Sequence, residues 1–239
     1  MDIDSAVVIV TGASSGIGKA TARAASLAGA RVVLAARRED RIASLAAELD
    51  GSIAVPCDVT DQGQIDSLVS TVLAEFGRID ALVNNAGQGF QATLERIDLD
   101  DFRAVLELNL VAPLALMQAV LPTMRRQRAG SIVNVSSGTT FGDVPGTGGY
   151  VASKIALERL GAIARNELEG TGITVSTMIP FATQTEFMSS IRAGRAEAEE
   201  MTAGAQFDSP DLVADAVLRL IETGEPRLDL VPKEYGGSR

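Results

Sequence analysis

The chain has 239 residues and a formal net charge of -10 at pH 7, with 46% hydrophobic residues, one cysteine and no histidine. This length is enough for one sizeable core, and the negative charge argues against nucleic acid or anionic lipid as a partner, because both would be repelled. Without histidine, a Ser-His-Asp triad and a histidine-bound metal are excluded, so proton transfer must fall to Tyr, Lys or carboxyl groups, and we expect no metal site.

Short apolar or β-branched runs alternate with longer amphipathic segments. The short runs predict seven strands, at 7–10, 31–35, 53–56, 81–83, 131–135, 173–178 and 228–231. The longer segments predict helices at 17–28, 38–49, 61–76, 99–127, 150–168 and 210–222. This alternation predicts a parallel sheet with helices on both faces. We therefore expect a single α/β domain over residues 1–239, built as a Rossmann-like, doubly wound sheet.

A glycine-rich turn, Thr11-Gly12-Ala13-Ser14-Ser15-Gly16-Ile17-Gly18, follows the first strand and opens a helix. Glycines permit a tight turn and a close backbone approach, and free N–H groups at the start of a helix bind a pyrophosphate. An ordinary structural turn is the alternative, but the position after the first strand favours a dinucleotide site. The predicted cofactor-binding residues of this turn are Gly12, Ser14, Ser15, Gly16, Ile17 and Gly18.

The second strand ends in two arginines, Arg37 and Arg38. A site that prefers NAD usually places a carboxylate here to bind the ribose 2′-OH. Two guanidinium groups instead pair with a 2′-phosphate, so NADP is favoured over NAD. The alternative is that both arginines are solvated residues at the start of a helix.

Tyr150 and Lys154 lie four residues apart, and Ser137 precedes Tyr150 by thirteen positions. On a helix this spacing places the phenol and the ammonium on one face, where we expect the cation to favour phenolate and to make Tyr150 an acid or base near neutral pH. Alone, Tyr150 fits an ordinary interface aromatic and Lys154 a solvated lysine. Ser136 is the alternative to Ser137, although the spacing to Tyr150 favours Ser137.

Together these motifs match a known family pattern: Thr11-Gly12-x-x-x-Gly16-x-Gly18, Asp58, Asn84-Asn85-Ala86-Gly87, Asn109, Ser137 and Tyr150-x-x-x-Lys154. Over residues 5–231 the chain resembles the classical short-chain dehydrogenases/reductases. The resemblance implies that Ser137 hydrogen-bonds the substrate oxygen and that Tyr150 donates or accepts its proton. It also implies that Lys154 binds the nicotinamide ribose and that Asn109 completes a catalytic tetrad through a water.

The resemblance also assigns further cofactor contacts. Asp58 and Val59 are expected around the adenine, and Thr183 and Thr185 at the nicotinamide carboxamide. The residues expected along the adenosine side are Asn84, Ala86 and Gly87. A homodimer or homotetramer is expected through the helices at 99–127 and 150–168, which carry more Leu, Ala and Met than one sheet face requires.

Asn109 lies beside an inward apolar stripe of its helix, so its amide needs buried partners. Pro113, four residues later, has no N–H, which leaves the carbonyl of Asn109 without its α-helical hydrogen bond. We therefore expect this carbonyl to hold the water of the proton relay.

One position departs from the family pattern, which usually has Pro-Gly after the sixth strand. Here Pro180 is followed by Phe181, which does not adopt positive φ cheaply. This loop is therefore expected to take another conformation or to present an aromatic ring to the nicotinamide or the substrate. The candidate pocket residues indicate a mainly apolar substrate, with a core role as the alternative for each, and they are Gln88, Phe90, Phe141, Phe181, Gln184 and Met188.

Residues 186–208 break the strand and helix rhythm after the sixth strand. They mix apolar side chains, including Met201, with charged residues such as Arg192 and Arg195. Because ligands of open α/β sheets bind at the carboxyl ends of the strands, we predict a substrate lid over 186–208. An ordinary amphipathic surface helix between two loops is the alternative.

The predicted function is hydride transfer between NADP and a carbonyl or secondary alcohol. Epimerisation or dehydration with the same cofactor, and a non-catalytic NADP-binding redox sensor, are the alternatives. Cys57, the lone cysteine, excludes an internal disulfide and suits the cytoplasm, which is the expected location. No basic leader precedes the first strand and no apolar run approaches the roughly 18 residues of a membrane span, so no membrane association is expected.

Overall fold

The apolar runs form one parallel sheet in a computed structural model, which describes residues 1–202, 204 and 206–239. The strand order is β3-β2-β1-β4-β5-β6-β7. The strands are β1 (Val7–Thr11), β2 (Arg31–Ala36), β3 (Ile53–Pro56), β4 (Ala81–Asn84), β5 (Gly130–Val135), β6 (Ile173–Ile179) and β7 (Arg227–Asp229). The order reverses between β1 and β4, which is where open α/β sheets bind ligands.

Helices connect the strands and cover both faces of the sheet. They are α1 (Gly16–Leu27), α2 (Glu39–Glu48), α3 (Gln62–Phe76), α4 (Leu99–Leu106), α5 (Ala112–Gln127), α6 (Gly148–Glu167), α7 (Arg195–Met201) and α8 (Pro210–Thr223). Short 3₁₀ turns lie at Leu94–Arg96, Gly138–Phe141, Glu186–Ser190 and Lys233–Tyr235.

The core consists of two layers separated by the sheet. In β1, Val8 and Val10 pack into the cluster with α1, α2 and α8. Val7 and Ile9 pack into the opposite cluster with α3 and α5. Because every residue of β1 is buried, this strand reads as a continuous apolar run without polar alternation. The single doubly wound domain predicted from the sequence is confirmed.

Two predicted elements differ in detail from the structure. The last strand lies at Arg227–Asp229, slightly earlier than 228–231. The predicted helix over 99–127 changes to π spacing at Glu107–Val111, where the N–H of Ala112 donates to the carbonyl of Glu107. Pro113 explains why α-helical bonding is interrupted here, since it has no N–H to donate to the carbonyl of Asn109.

One expectation about membrane spans needs correction. The helix over Leu99–Gln127 has a mean hydropathy of 1.8 and is long and apolar enough, by length and composition alone, to cross a membrane. In this fold one face of it packs in the core, because Leu116, Val120 and Met124 of α5 are buried in the cluster with α3.

Candidate active site

The reacting side chains predicted from the sequence meet at the carboxyl edge of the sheet. Ser137 lies two residues after the end of β5, in extended conformation, and caps the 3₁₀ turn Gly138–Phe141. Tyr150 and Lys154 lie in the first turns of α6. The ring of Tyr150 is buried beside Phe90. Ser137 lies close enough to the phenol for its hydroxyl to act on the pKa of Tyr150, which it lowers.

Lys154 lies beneath the phenol. Its Nζ donates to the carbonyl oxygen of Val135 at 3.0 Å and lies 5.9 Å from the centroid of the Tyr150 ring. Lys154 is only 5% exposed, so the sheet edge and α6 enclose its ammonium. The predicted common face of Tyr150 and Lys154 is therefore observed.

Burial controls the protonation of this pair. It raises the pKa of Tyr150 to about 12, against the smaller, opposite effect of the Ser137 hydroxyl. Burial also lowers the pKa of Lys154 to about 8, while the negative charge of Glu158 acts to raise it. The expectation that the ammonium brings the phenol toward neutral pKa is thus wrong for this structure, because desolvation of the phenolate outweighs every other influence on Tyr150.

The two adjacent serines face different partners. Ser136 donates its hydroxyl to Glu158 at 2.6 Å. The Ser137 Oγ instead accepts from the N–H and the hydroxyl of Thr139, at 3.3 and 3.0 Å. Ser137 is therefore the serine that lies beside the phenol.

The side chain of Asn109 is fully buried and joins two elements of the site. Its amide exchanges two hydrogen bonds of 3.0 Å with the backbone of Gln88 and donates to the Ser153 Oγ at 3.1 Å. Ser153 in turn donates to the carbonyl of Tyr150 at 2.6 Å. Asn109 thus fixes the loop after β4 against the helix that carries Tyr150 and Lys154.

The glycine-rich loop, residues 11–18, is shaped for a close-lying ligand. Gly16 has a φ of 53°, and a Cβ on Gly18 would lie 2.5 Å from the Gly12 carbonyl oxygen. Asn85 donates its amide to the Thr11 carbonyl at 2.8 Å, which ties the loop to the end of β4. Larger residues at Gly16 or Gly18 would strain this loop.

Helix α1 starts in this loop with its first N–H groups directed outward. Ser15 is its N-cap and, within the described residues, makes no capping hydrogen bond through its side chain, and the first turn contains no acidic residue. Uncapped N–H groups and the helix dipole favour an anion. The residues present therefore fit a pyrophosphate, as the sequence predicts.

Arg38 brings positive charge to the same loop. Its Nε and Nη2 donate to the Ser14 Oγ at 3.0 and 2.8 Å, and Nη2 donates to the Ser15 Oγ at 2.7 Å. Arg37 is exposed at the end of β2. The structure thus places Arg38 against the predicted phosphate loop and leaves Arg37 at the surface.

Three more predicted cofactor residues follow two different strands, Asp58 and Val59 after β3 and Gly87 after β4. Asp58 is half-buried after β3, where it accepts from the N–H and the hydroxyl of Thr60, and Val59 is buried. Gly87 lies at the sheet edge, since a Cβ there would be 3.2 Å from the Asn109 Oδ1 and 3.4 Å from the Lys154 Nζ. Asp58 and Val59 thus follow β3, two strands from the point of reversal, while Gly87 follows β4 at that point.

The lid segment, residues 186–208, lies over this edge in its described part. The Phe187 ring packs on Tyr150 with centroids 5.8 Å apart. The Glu186 carboxylate accepts from Arg38 at 3.0 Å and from Arg41 at 2.7 Å. The predicted lid also includes residues 203 and 205 and the side chain of Met201, which lie outside the described residues.

Arg192, six residues after Glu186 in the lid segment, ties the segment to the body of the domain. Its Nε pairs with Asp101 at 2.7 Å, and its N–H donates to the Gly89 carbonyl at 3.0 Å. A Cβ on Gly89 would lie 2.8 Å from Ile191, so the segment packs closely on the loop after β4.

The family whose sequence model matches residues 6–196 is described as short chain dehydrogenase. The protein belongs to the short-chain dehydrogenase family. A 3-oxoacyl-(acyl-carrier-protein) reductase of Thermotoga maritima is 35% identical to it over 228 residues, which cover 92% of this chain and 92% of that protein. The chain is an oxidoreductase of this family.

Two solved structures share the architecture. An alcohol dehydrogenase from the archaeon Thermococcus sibiricus, complexed with 5-hydroxy-NADP, matches with a TM-score of 0.81 at 29% identity, over 94% of this chain and 95% of that chain. A short-chain dehydrogenase/reductase from Burkholderia phymatum, in complex with NAD, matches with a TM-score of 0.92 at 24% identity, over 99% of this chain and 92% of that chain. The second likeness shows the fold alone.

Within this short-chain dehydrogenase, Asn84 departs from its expected place. Its side chain is buried and donates to Asn134 at 2.8 Å, and its Oδ1 has no partner among the described residues. The Asn84 side chain therefore lies within the sheet and does not line the adenosine side. Ala86 donates its N–H to the Thr11 hydroxyl at 3.0 Å, close to the glycine-rich loop.

The two predicted carboxamide contacts also separate. The Thr185 side chain packs on Gly16, since a Cβ there would lie 3.0 Å from the Thr185 Cβ. The Thr183 hydroxyl donates back to the Phe181 carbonyl at 2.8 Å. The structure therefore brings Thr185, but not the Thr183 hydroxyl, to the glycine-rich loop.

The candidate pocket residues are scattered. Phe181 stacks on Tyr235 with ring centroids 5.3 Å apart, and Phe141 packs against the guanidinium of Arg227 at 4.9 Å. Among the described non-glycine residues, positive φ occurs at Ser5 and Arg128, so Phe181 follows the expected alternative conformation. Its ring faces Tyr235 because the C-terminal turn Lys233–Tyr235 offers an aromatic partner. Its place at the nicotinamide or substrate stays a prediction.

The other pocket candidates contribute unequally. Phe90 is buried beside Tyr150, so it is core beneath the phenol rather than exposed pocket wall. Gln88 is half-buried and holds Asn109 through its backbone, and Met188 is half-buried on the lid segment. Gln184 is exposed and donates its N–H to the Asp208 carbonyl at 2.9 Å.

Several residues at the site were not predicted from the sequence. Phe187 contacts Tyr150, Ser153 links Asn109 to α6, and Arg41 and Glu186 form an ion pair. Ser153 lies between Tyr150 and Lys154 in the motif, which is a signal that could have identified it. Glu186 and Arg41 are far apart in sequence, and no local pattern indicates that they meet.

Replacing Lys154 with Met tests the cost of burying the ammonium. Because the pKa of Lys154 is lowered from 10.5 to about 8, the unfolded chain binds this proton more tightly. The wild type should therefore gain stability relative to Lys154→Met as pH rises from about 8 to about 10.5, by about 3 kcal/mol in total. Urea unfolding at about pH 7 and about pH 10 measures this difference. The exposed Lys19→Met variant is the control, and a pH-independent difference for Lys154→Met would contradict the prediction.

Proposed function

We propose that this oxidoreductase transfers hydride between NADP and a carbonyl or secondary alcohol, with Tyr150 as the acid or base. The observation that carries the proposal is the buried phenol of Tyr150 beside Ser137, with the Lys154 Nζ 5.9 Å from the centroid of its ring. These three residues lie at the same edge of the sheet as the glycine-rich loop. No histidine competes for the role of proton donor.

Each side chain has a defined task in the reductive direction. When bound, the nicotinamide supplies the hydride. Ser137 and Tyr150 hydrogen-bond the substrate oxygen and polarise the carbonyl. The raised pKa of Tyr150, about 12, keeps the phenol protonated at neutral pH, so the side chain is present in the form that carries the proton. Lys154 holds the nicotinamide ribose and stabilises the phenolate left by proton donation.

Phe187 supports a mainly apolar substrate. Its ring covers Tyr150 and is 36% exposed, so an apolar group entering from solvent meets an aromatic surface next to the phenol. Gly89 and Ile191 border the same ring. The small number of polar side chains here agrees with few polar anchors for the substrate.

Tyr150→Phe tests the acid–base role. Turnover should fall by at least about 100-fold, because the ring remains while the transferable proton is lost. The measurement is the nicotinamide absorbance with a panel of ketones and NADPH, together with cofactor binding by calorimetry. Binding should persist, and Tyr235→Phe is the matched control.

The same assay separates the alternatives. Turnover retained by Tyr150→Phe would exclude Tyr150 as the proton donor. A redox sensor would keep binding and function in this variant. An epimerase or dehydratase would convert substrate in the wild type without net consumption of NADPH.

The preference for NADP over NAD is supported by Arg38. Its guanidinium already contacts two hydroxyls of the glycine-rich loop, and a 2′-phosphate offers it a stronger acceptor. Arg38→Ala should weaken NADPH binding about tenfold or more and leave NADH binding nearly unchanged. Calorimetric Kd values check this, with Arg31→Ala, at the opposite end of β2, as the control. Equal losses for both cofactors would contradict the preference.

Asn109 is proposed to serve the proton relay through its carbonyl, which holds a water. The π segment Glu107–Val111, which contains Asn109, and the missing N–H of Pro113 support this proposal. Pro113→Ala restores an N–H that competes with the water, so kcat should fall about fivefold, as expected from one hydrogen bond of about 1 kcal/mol. Unchanged turnover, with the water still at the carbonyl in a crystal structure of the variant, would show that Pro113 is not responsible.

A homodimer or homotetramer in the cytoplasm is proposed as the working state. Val111, Ile155 and Ile163 are 42%, 48% and 43% exposed on the helices expected to associate. A second copy would cover these side chains. Sedimentation at the monomer mass would exclude this assembly.

A further inference from the structure

Two arginines at the start of α2 share one carboxylate from the lid segment. Arg38 donates Nη1 to the Glu186 Oε2 at 3.0 Å, and Arg41 donates Nη1 to both carboxylate oxygens at 3.0 and 2.7 Å. Glu186 lies 148 and 145 residues away from them in sequence. The fold therefore brings a distant anion to the arginine that also contacts the glycine-rich loop.

In these ion pairs another anion can replace the Glu186 carboxylate. The side chains of Arg38, Arg41 and Glu186 are 43%, 44% and 51% exposed. Ion pairs this accessible to water contribute little stability, so a ligand with greater charge displaces the carboxylate easily. A phosphate monoester carries more negative charge and one more terminal oxygen than a carboxylate, and guanidinium groups bind it bidentately.

We propose that Arg38 and Arg41 together bind the ribose 2′-phosphate and that Glu186 occupies this site until the phosphate displaces it. This inference rests on the proposed use of NADP and adds two residues to it. Arg41 is a second phosphate-binding residue. Glu186 also determines specificity. It competes with the 2′-phosphate of NADP for the two arginines, whereas the ribose 2′-hydroxyl of NAD does not compete for them.

Displacement of Glu186 also affects the active site, because the neighbouring residues in the sequence contact it. Glu186 begins the 3₁₀ turn Glu186–Ser190, and the next residue, Phe187, covers Tyr150. Thr185, on the other side, packs on Gly16 of the glycine-rich loop. Displacement of Glu186 therefore releases one attachment of the segment that covers the phenol, and binding of a 2′-phosphate loosens the lid segment.

Two nucleotide fragments isolate this effect. 2′,5′-ADP carries the 2′-phosphate but no nicotinamide, and 5′-AMP lacks the 2′-phosphate. Calorimetry on the full chain should show that Glu186→Gln binds 2′,5′-ADP about three- to tenfold more tightly than the wild type does. Binding of 5′-AMP should change less than about twofold. Glu197→Gln, which removes one exposed charge elsewhere on the lid segment, is the matched control.

Hydrogen exchange gives a second readout, which is independent of measured affinities. In the wild type, saturating 2′,5′-ADP should accelerate exchange of the backbone amides of residues 186–191, and 5′-AMP should not. Glu186→Gln should show the faster exchange without ligand. Unchanged exchange in both cases would overturn the link between the phosphate site and the lid segment.

The outcomes separate this inference from the proposed cofactor preference. If the wild type prefers 2′,5′-ADP but Glu186→Gln binds it no better, the competition is wrong and the NADP preference stands. If the wild type shows no preference and Glu186→Gln gains one, the competition is supported and the native preference for NADP is wrong. If neither protein distinguishes the fragments, both ideas fail.

Discussion

Both faces of the parallel sheet are covered by helices, and this constraint decides where chemistry takes place. The central strands are buried along their whole length, so a ligand has no access to either face of the sheet. Only the edge at which the strands end is open to a ligand. The glycine-rich loop follows β1, and Ser137 follows β5. The site is therefore assembled from loops whose positions are set by a rigid apolar scaffold.

Placing the site against that scaffold makes desolvation the dominant electrostatic effect. Tyr150 and Lys154 are both nearly inaccessible to water, and their pKa values move in opposite directions for the same reason, because burial disfavours the charged form of each. Tyr150 is therefore a neutral phenol that can donate a hydrogen bond or a proton to a substrate oxygen. The polar partners that accompany this burial, Val135 for the ammonium and Ser137 for the phenol, come from the end of the adjacent strand.

Local patterns in the sequence predict most of the fold. Alternation of apolar runs and amphipathic segments identifies the doubly wound sheet, and the missing N–H of Pro113 marks the helix at the point where π spacing occurs. The pairing of Tyr150 with Lys154 follows from helix periodicity alone. Side-chain direction is harder to predict, as Asn84 shows, because its orientation depends on Asn134 in the neighbouring strand. The direction of the Tyr150 pKa shift depends on how deeply the phenol is buried, and the sequence spacing of Tyr150 and Lys154 does not reveal that. The contact between Glu186 and Arg41 depends on how a long connection returns over the sheet edge.

The aromatic residues have a further consequence for how this enzyme is observed. The chain contains no tryptophan and two tyrosines. Tyr150 contacts Phe187 of the lid segment, and Tyr235 stacks on Phe181 in the loop after β6. All tyrosine emission therefore originates from two rings that flank the same edge of the sheet. The intrinsic fluorescence of the protein is a local signal from the region of the active site, obtained without any added label.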